Sequence, residues 1–502
     1  MTRIRILVLV AAVTVVGISA RLTVARPEPA ATFNKDVLPI LQENCQSCHR
    51  PGEIGPMAFT TYEGTRPWAK AIKSAVINKE MPPWRAAAGH NTFRNAPKLT
   101  DSNIRTLAAW ADSGAPEGEA ADKPVPVQWQ DGWQIQPDVV ASMPQPFRVQ
   151  AQGAGEVREF FVPNPFKEDT WVTSIEFRPG NRSVVHHVIL QVINPAEEIA
   201  RQTQLAGTPF LAAASALVAM NRRVDGQGFQ NFQDNGSAYS GTGEIFARAE
   251  EMKTGQGAFM TMEAVYAPGS QPMDFRYAGS AKLIHGGGQM RIEVHYTPNG
   301  KETTDQTKIG FTLAKAPVKR SFVLMAPQHL AETSKPIPAG ESNWETTGEI
   351  TFSRDAELVW FMPHMHLRGK DMTFQLTYPD GRVETVLNVK YNFNWQLGYE
   401  LATPIKVPKG TRMLVTAHHD NSANNKLNPE PGKNVAWGDL TGQEMMLPWF
   451  GVVVDRDASP ATIAVYQPRG LLSPDAIQSL GKTNNAVIRF DDLFVAPGLS
   501  VR

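Results

Sequence analysis

Residues 356–370 read AELVWFMPHMHLRGK, an apolar run interrupted by two histidines. Successive side chains of a strand alternate faces, so His364 and His366 project to one side, with Met365 opposite. Taken alone, an H-x-H in a half-buried strand is explained by hydrogen bonds to backbone or water, and metal binding needs further ligands. The run has company: WVTSIEFRPG (171–180), SVVHHVILQV (183–192), MRIEVHYTPNG (290–300), KIGFTLAK (308–315), MTFQLTYPDGR (372–382) and TRMLVTAHHDNS (411–422). Each is short, rich in β-branched and aromatic residues, and followed by Gly, Pro or Asn turns, which predicts β-sandwiches. Roughly 350 residues are too many for one sandwich, so two in tandem are expected. LAGTPFLAAASALVAMNRR (205–223) reads as a helical insertion in the first.

The chain opens with MTRIR, continues with the apolar ILVLVAAVTVVGISA, and offers small residues at Ala20 and Ala25. This is the pattern of a secretory signal peptide over 1–25, which predicts a periplasmic or secreted protein. A retained anchor is the rival reading, but an apolar run of about 15 is short for a bilayer, and no stable membrane insertion is expected after cleavage. With 49 basic and 49 acidic residues among 502 and no long single-sign block, the formal net charge is zero, so nucleic acid and anionic membranes are poor candidates as partners, and no nucleic-acid partner is expected.

Both cysteines lie in ENCQSCHR (43–50). C-x-x-C-H is the attachment signature of c-type haem: Cys45 and Cys48 bond the porphyrin and His49 ligates iron. A thioredoxin-like redox motif would need a βαβ context that is missing. FNKDVLPILQENC (33–45) has helical spacing, and LTDSNIRTLAAWADSGAP (99–116) reads as a terminal helix capped by Thr100 or Asp101. In KEMPPW, Met81 precedes two prolines that fix the loop, so it is the expected sixth iron ligand, with Met57 and His90 as rivals. His/Met ligation suits electron transfer. APEGEAADKPVPVQWQDGWQIQPD (115–138) reads as a linker.

The expected fold class is therefore multidomain, with an N-terminal all-α cytochrome c domain followed by two all-β, jelly-roll-like sandwich domains. The expected boundaries are 31–118 for the cytochrome domain, 119–140 for the linker, and 141–318 and 319–500 for the sandwiches.

The remaining histidines fall into groups. His186 and His187 are adjacent in one strand and His295 lies in another, and both members of the pair can reach one ion only at a strand end, twist or bulge. Imidazoles alone do not separate zinc from copper. WGDLTGQEMMLPWFGVVV (437–454) adds Met445, a soft ligand that favours Cu(I), with Met446 as its alternative. His418 and His419 form another adjacent pair, read as strand-end or outer-sphere residues. His285 and His329 read as ordinary polar histidines.

VVHHVILQV, EVHYTPNG, PHMHLRGK and QEMM, in that order, resemble the copper type II, ascorbate-dependent monooxygenases, the group including peptidylglycine α-hydroxylating and dopamine β-monooxygenases. The likeness spans residues 150–455, with a cytochrome c module in front. It implies one copper on His186, His187 and His295, and a second, catalytic copper on His364, His366 and Met445. It implies hydroxylation of a substrate C–H with O2 at sites facing across a solvent cleft. Animal members carry several disulfides that this chain cannot form, and no residues match the peptide-carboxylate clamp of the peptidylglycine enzymes.

The expected cofactors are thus one covalent haem c and two copper ions. The expected partners are a small-molecule or peptide substrate, O2 and an external electron donor to the haem. Two other classes compete: a non-catalytic electron-transfer or copper-binding protein, and a zinc hydrolase, for which no H-E-x-x-H supplies a base.

Overall fold

The computed structural model describes residues 31–129, 132–153, 155–193, 222–224, 230–232, 259–327, 336–438 and 441–466. The expected signal peptide, His329 and residues 205–221 of the expected helical insertion lie outside the described residues; Arg222 and Arg223 belong to the strand Arg222–Val224. Among the described residues no helix is long and apolar enough to cross a membrane.

Three strands organise the molecule: Arg320–Pro327, Met446–Asp455 and Ala356–Met365, which lie side by side in a ten-stranded sheet. Their sequences are apolar at consecutive rather than alternate positions, as a strand covered on both faces must be. Phe322, Leu324, Met362, Trp449 and Val453 enter one hydrophobic core. Their neighbours Val323, Met325, Phe361, Phe450 and Val452 enter the other.

On the first face lies a four-stranded sheet, Glu156–Pro163, Gln289–Tyr296, Val185–Ile193 and Ala264–Tyr266, which contributes Val188, Leu190, Ile292 and Val294 to the shared core. On the second lies a five-stranded sheet containing Gly369–Thr377, Arg412–His419 and Trp344–Phe352, which contributes Phe374, Val415 and Ile350. One long sheet therefore serves both layers. All its pairings are antiparallel except that of Ser280–Ile284 with Arg320–Pro327.

The expected fold class needs correction. The described chain is predominantly β, and no all-α N-terminal domain closes over residues 31–118. The helices there are short: Leu38–Asn44, Ala69–Ile77, Asp101–Asp112 and the single turn Tyr62–Thr65. Phe33, Leu41, Leu107 and Trp110 give them a small core, and Thr100 caps the last by accepting from Asn103 N at 3.1 Å.

The physical reason is the stretch after Met81. Two prolines remove the N–H groups a helix needs, and the chain beyond them is drawn instead along two sheet edges, Val383–Lys390 of the five-stranded sheet and Tyr399–Val407 of the ten-stranded one. Ala87 N donates to Asn388 O at 2.8 Å and Arg94 N to Glu400 O at 2.9 Å. Trp84 and Phe93 pack edge-on against Tyr399, with centroids at 5.0 and 5.8 Å.

Candidate metal centre

His187 and His295 are direct cross-strand partners, while the next step of the register pairs Tyr296 with Val185. His186 is therefore the extra residue of a β-bulge, which is how two adjacent histidines turn toward one point. A ring nitrogen from each of His186, His187 and His295 lies within 4.8 Å of the others. His186 Nε2 sits 3.2 Å from Phe393 O, and a carbonyl only accepts, so Nε2 carries the proton and Nδ1 is the donor atom. That Nδ1 lies 3.3 Å from His187 Nδ1.

Burial lowers all three pKa values, to about 4 for His186 and about 3 for His295, with neighbouring imidazoles adding to the effect. Neutral rings with converging lone pairs are the protonation state a metal requires.

The H-x-H strand supplies the second group. His364 follows Met362, and Met362 enters the core shared with the four-stranded sheet, so alternation turns His364 the same way. Its ring centroid comes to 6.0 Å from that of His187 and 5.5 Å from that of His366. The two histidine groups that the motifs separate thus form one continuous cluster, rather than facing across an open cleft.

Outer partners set the tautomers. Gln396 Nε2 donates to Phe393 O at 3.3 Å, which turns Oε1 toward His364 Nδ1 at 2.6 Å. His366 Nδ1 meets Gln443 O at 3.1 Å. In both rings Nδ1 carries the proton and Nε2 has the lone pair.

The same alternation separates the two methionines. Met446 pairs with Met365, joins the second core, and has its sulfur 3.4 Å from Thr346 Oγ1. Leu447 pairs with His364 and packs on the first core. Met445 lies one residue before this strand, and the alternation carried back one step would set it on the Leu447 side, the side His364 takes.

Several contributors were not singled out in the sequence. Glu444 is fully buried, its carboxylate accepting from Arg368 N at 2.6 Å and His366 N at 3.0 Å. Burial pushes this carboxyl up to about 8, against the pull of those two N–H groups. Its one sequence signal is position: an acid directly before the candidate ligand Met445. Thr441 Oγ1 lies 3.4 Å from His295 Nε2.

His418 stands outside the centre, paired with Asp371 at 2.6 Å and Glu345 at 3.4 Å. His419 is buried 3.8 Å from Glu444. His285 is exposed beside Asp169.

The CQSCH segment follows the helix Leu38–Asn44. His49 Nδ1 lies 3.1 Å from Met57 O, and the ring stacks on Phe59 with centroids at 4.5 Å. The thiols of Cys45 and Cys48 are unbonded to each other, and burial pushes Cys45 up to about 12, with Cys48 adding to the rise. Four residues beyond His49, Glu53 bonds Arg50 at 2.7 Å and Arg182 at 2.6 Å. Arg182 lies in the turn leading into the His186 strand, so the segment is seated against the layer that carries the three histidines.

No family model matches the chain, and no curated protein matches it. A solved structure titled "Structure of infectious bursal disease virus Gx strain" is 8% identical over 68% of this chain and 79% of that chain, with a TM-score of 0.11, too low to carry an argument.

Proposed function

We propose that this chain is an exported copper-dependent monooxygenase that hydroxylates a C–H bond of a small-molecule or peptide substrate with O2, its electrons entering through a c-type haem. The observation that carries the reading is the opposition of two unlike donor sets on facing sheets, three imidazoles on one and H-x-H with a thioether on the other, with the His187 and His364 rings 6.0 Å apart. The four motifs that resemble the copper type II monooxygenases supply the donors in order.

The donor chemistry fits copper. Neutral imidazoles serve zinc and copper alike, whereas the thioether of Met445 favours Cu(I). His364, His366 and Met445 would hold the catalytic ion, and His186, His187 and His295 the other. Copper bound at these residues supplies one-electron redox chemistry and activation of O2. Gln396 and the Gln443 carbonyl hold Nε2 of His364 and His366 toward the centre, and Phe393, stacked on His186 at 4.7 Å, shields that side from water.

The residues around CQSCH also fit their group. With Nδ1 of His49 held by Met57 O, Nε2 is the nitrogen available to iron. Met57 offers its carbonyl to Nδ1 of His49, and Met81 is the residue proposed as the second iron ligand. A covalent haem supplies reversible one-electron transfer from an external donor.

The test is elemental analysis of the natively exported protein together with an O2-uptake screen over C–H substrates. Two coppers, one iron and a hydroxylated product are expected. Copper without O2 uptake on any substrate would make the chain a copper-binding or electron-transfer protein, and zinc at either site would contradict the reading.

A further inference from the structure

The loop that leaves the H-x-H strand and the loop that leads to Met445 are tied together at several points. His366 Nδ1 bonds Gln443 O at 3.1 Å, and Arg368 Nη1 donates to Gly442 O at 2.7 Å. Between these ties sits Glu444, with no exposed surface. The strand ends at Met365, and the N–H groups of His366 and Arg368 point to the two oxygens of the Glu444 carboxylate. A buried carboxylate is tolerated only where its lone pairs are satisfied, and one that bridges two peptide N–H groups fixes the planes of both.

We infer that Glu444 is the positioning residue of the H-x-H site, its buried carboxylate clamping the peptide N–H groups of His366 and Arg368 and so holding both imidazoles in register with Met445. The inference rests on the proposed reading of His364, His366 and Met445 as ligands. Glu444 touches none of the reacting atoms. Its reach sets the geometry: the clamp needs two oxygens at this distance from the loop, and a carboxyl group one methylene shorter cannot make both bonds.

The experiment compares full-length wild type, Glu444→Gln and Glu444→Asp by Cu(I) titration against a competing chelator and by Cu(II) electron paramagnetic resonance. Glu444→Gln turns an NH2 donor toward a peptide N–H, and should weaken Cu(I) at the H-x-H site about 10- to 100-fold, the range for losing an outer-sphere partner. The spectrum of that site should change, while the affinity and spectrum of the three-histidine site stay as in wild type. Glu444→Asp should lose affinity too.

Wild-type affinity at the H-x-H site in Glu444→Gln would overturn the inference, and so would full recovery in Glu444→Asp, since the reach of the side chain would then not matter. A wild type that binds no Cu(I) at His364 and His366 would sink the underlying reading along with it. Should Glu444→Gln fail to fold, hydrogen exchange in the wild type decides. The amides of His366 and Arg368 should exchange as slowly as those of the flanking strands, and rapid exchange of either overturns the clamp.

Discussion

His187 faces His295 across paired strands, and His186 beside it is the bulged residue with no cross-strand partner. The bulge turns His186 out of the ladder and into the cluster, with its ring stacked on Phe393 rather than packed in the core. His186→Ala should therefore leave the melting temperature close to that of wild type while weakening metal at the three-histidine site by more than about tenfold, as loss of a direct ligand should exceed loss of an outer-sphere one. Metal titration beside a thermal melt checks both parts.

Met445 and Met446 should behave in opposite ways. Met446 is only 3% exposed and fills the second core, so Met446→Ala should cost about 2–5 kcal/mol of stability and keep copper at the H-x-H site. Met445→Ala should lose that copper with little change in stability. Denaturant unfolding and Cu(I) titration of the two variants separate the roles, and the reverse outcome would move the ligand to Met446.

The common face of His364 and His366 is legible in AELVWFMPHMHLRGK, because it follows from a period of two. So is the need for a bulge at His186, since adjacent strand residues otherwise diverge. What lies opposite those faces is not legible, because strand order is set by contacts distant in sequence. SFVLMAP and PWFGVVV carry apolar residues without alternation, the mark of strands covered on both sides, yet nothing local shows that they belong to one sheet. The helical spacing of 33–45 and 99–116 is real, but reading an all-α domain from it overlooked the segment after Pro82 and Pro83. That segment meets its partners, Asn388 and Glu400, some 300 residues further along. Gln396 and Glu444 escaped for the same reason: each acts on a ring or peptide that only the fold brings near.

Covalent attachment at CQSCH has a direct signature. Denatured wild type should keep its haem when extracted with acidified organic solvent, whereas Cys45→Ala/Cys48→Ala should release all of it, with the β-layers still folded around their own cores. Complete release from wild type would remove the c-type assignment.

The N-terminal segment should not be separable without cost. A chain beginning near residue 125 loses Trp84 and Phe93 from Tyr399 and the Glu53 ion pair from Arg182. Two half-buried rings at about 1.5–3 kcal/mol each for full burial suggest a loss of about 2 kcal/mol. At about 1–1.5 °C per kcal/mol for a chain of this length, the melting temperature should fall by roughly 2–3 °C. Differential scanning calorimetry measures this, and an unchanged transition would show that the segment is a free tether. The supply of electrons through haem is accordingly tested in the full-length double cysteine variant, which should turn over only with an added reductant.

Metal stoichiometry of the natively exported, full-length protein tests the central claim most directly. Two coppers and one iron per chain are predicted, falling to one copper when Met445 is replaced by alanine while the iron is unchanged. Zinc in place of copper, or a single copper shared by the whole histidine cluster, would contradict the account.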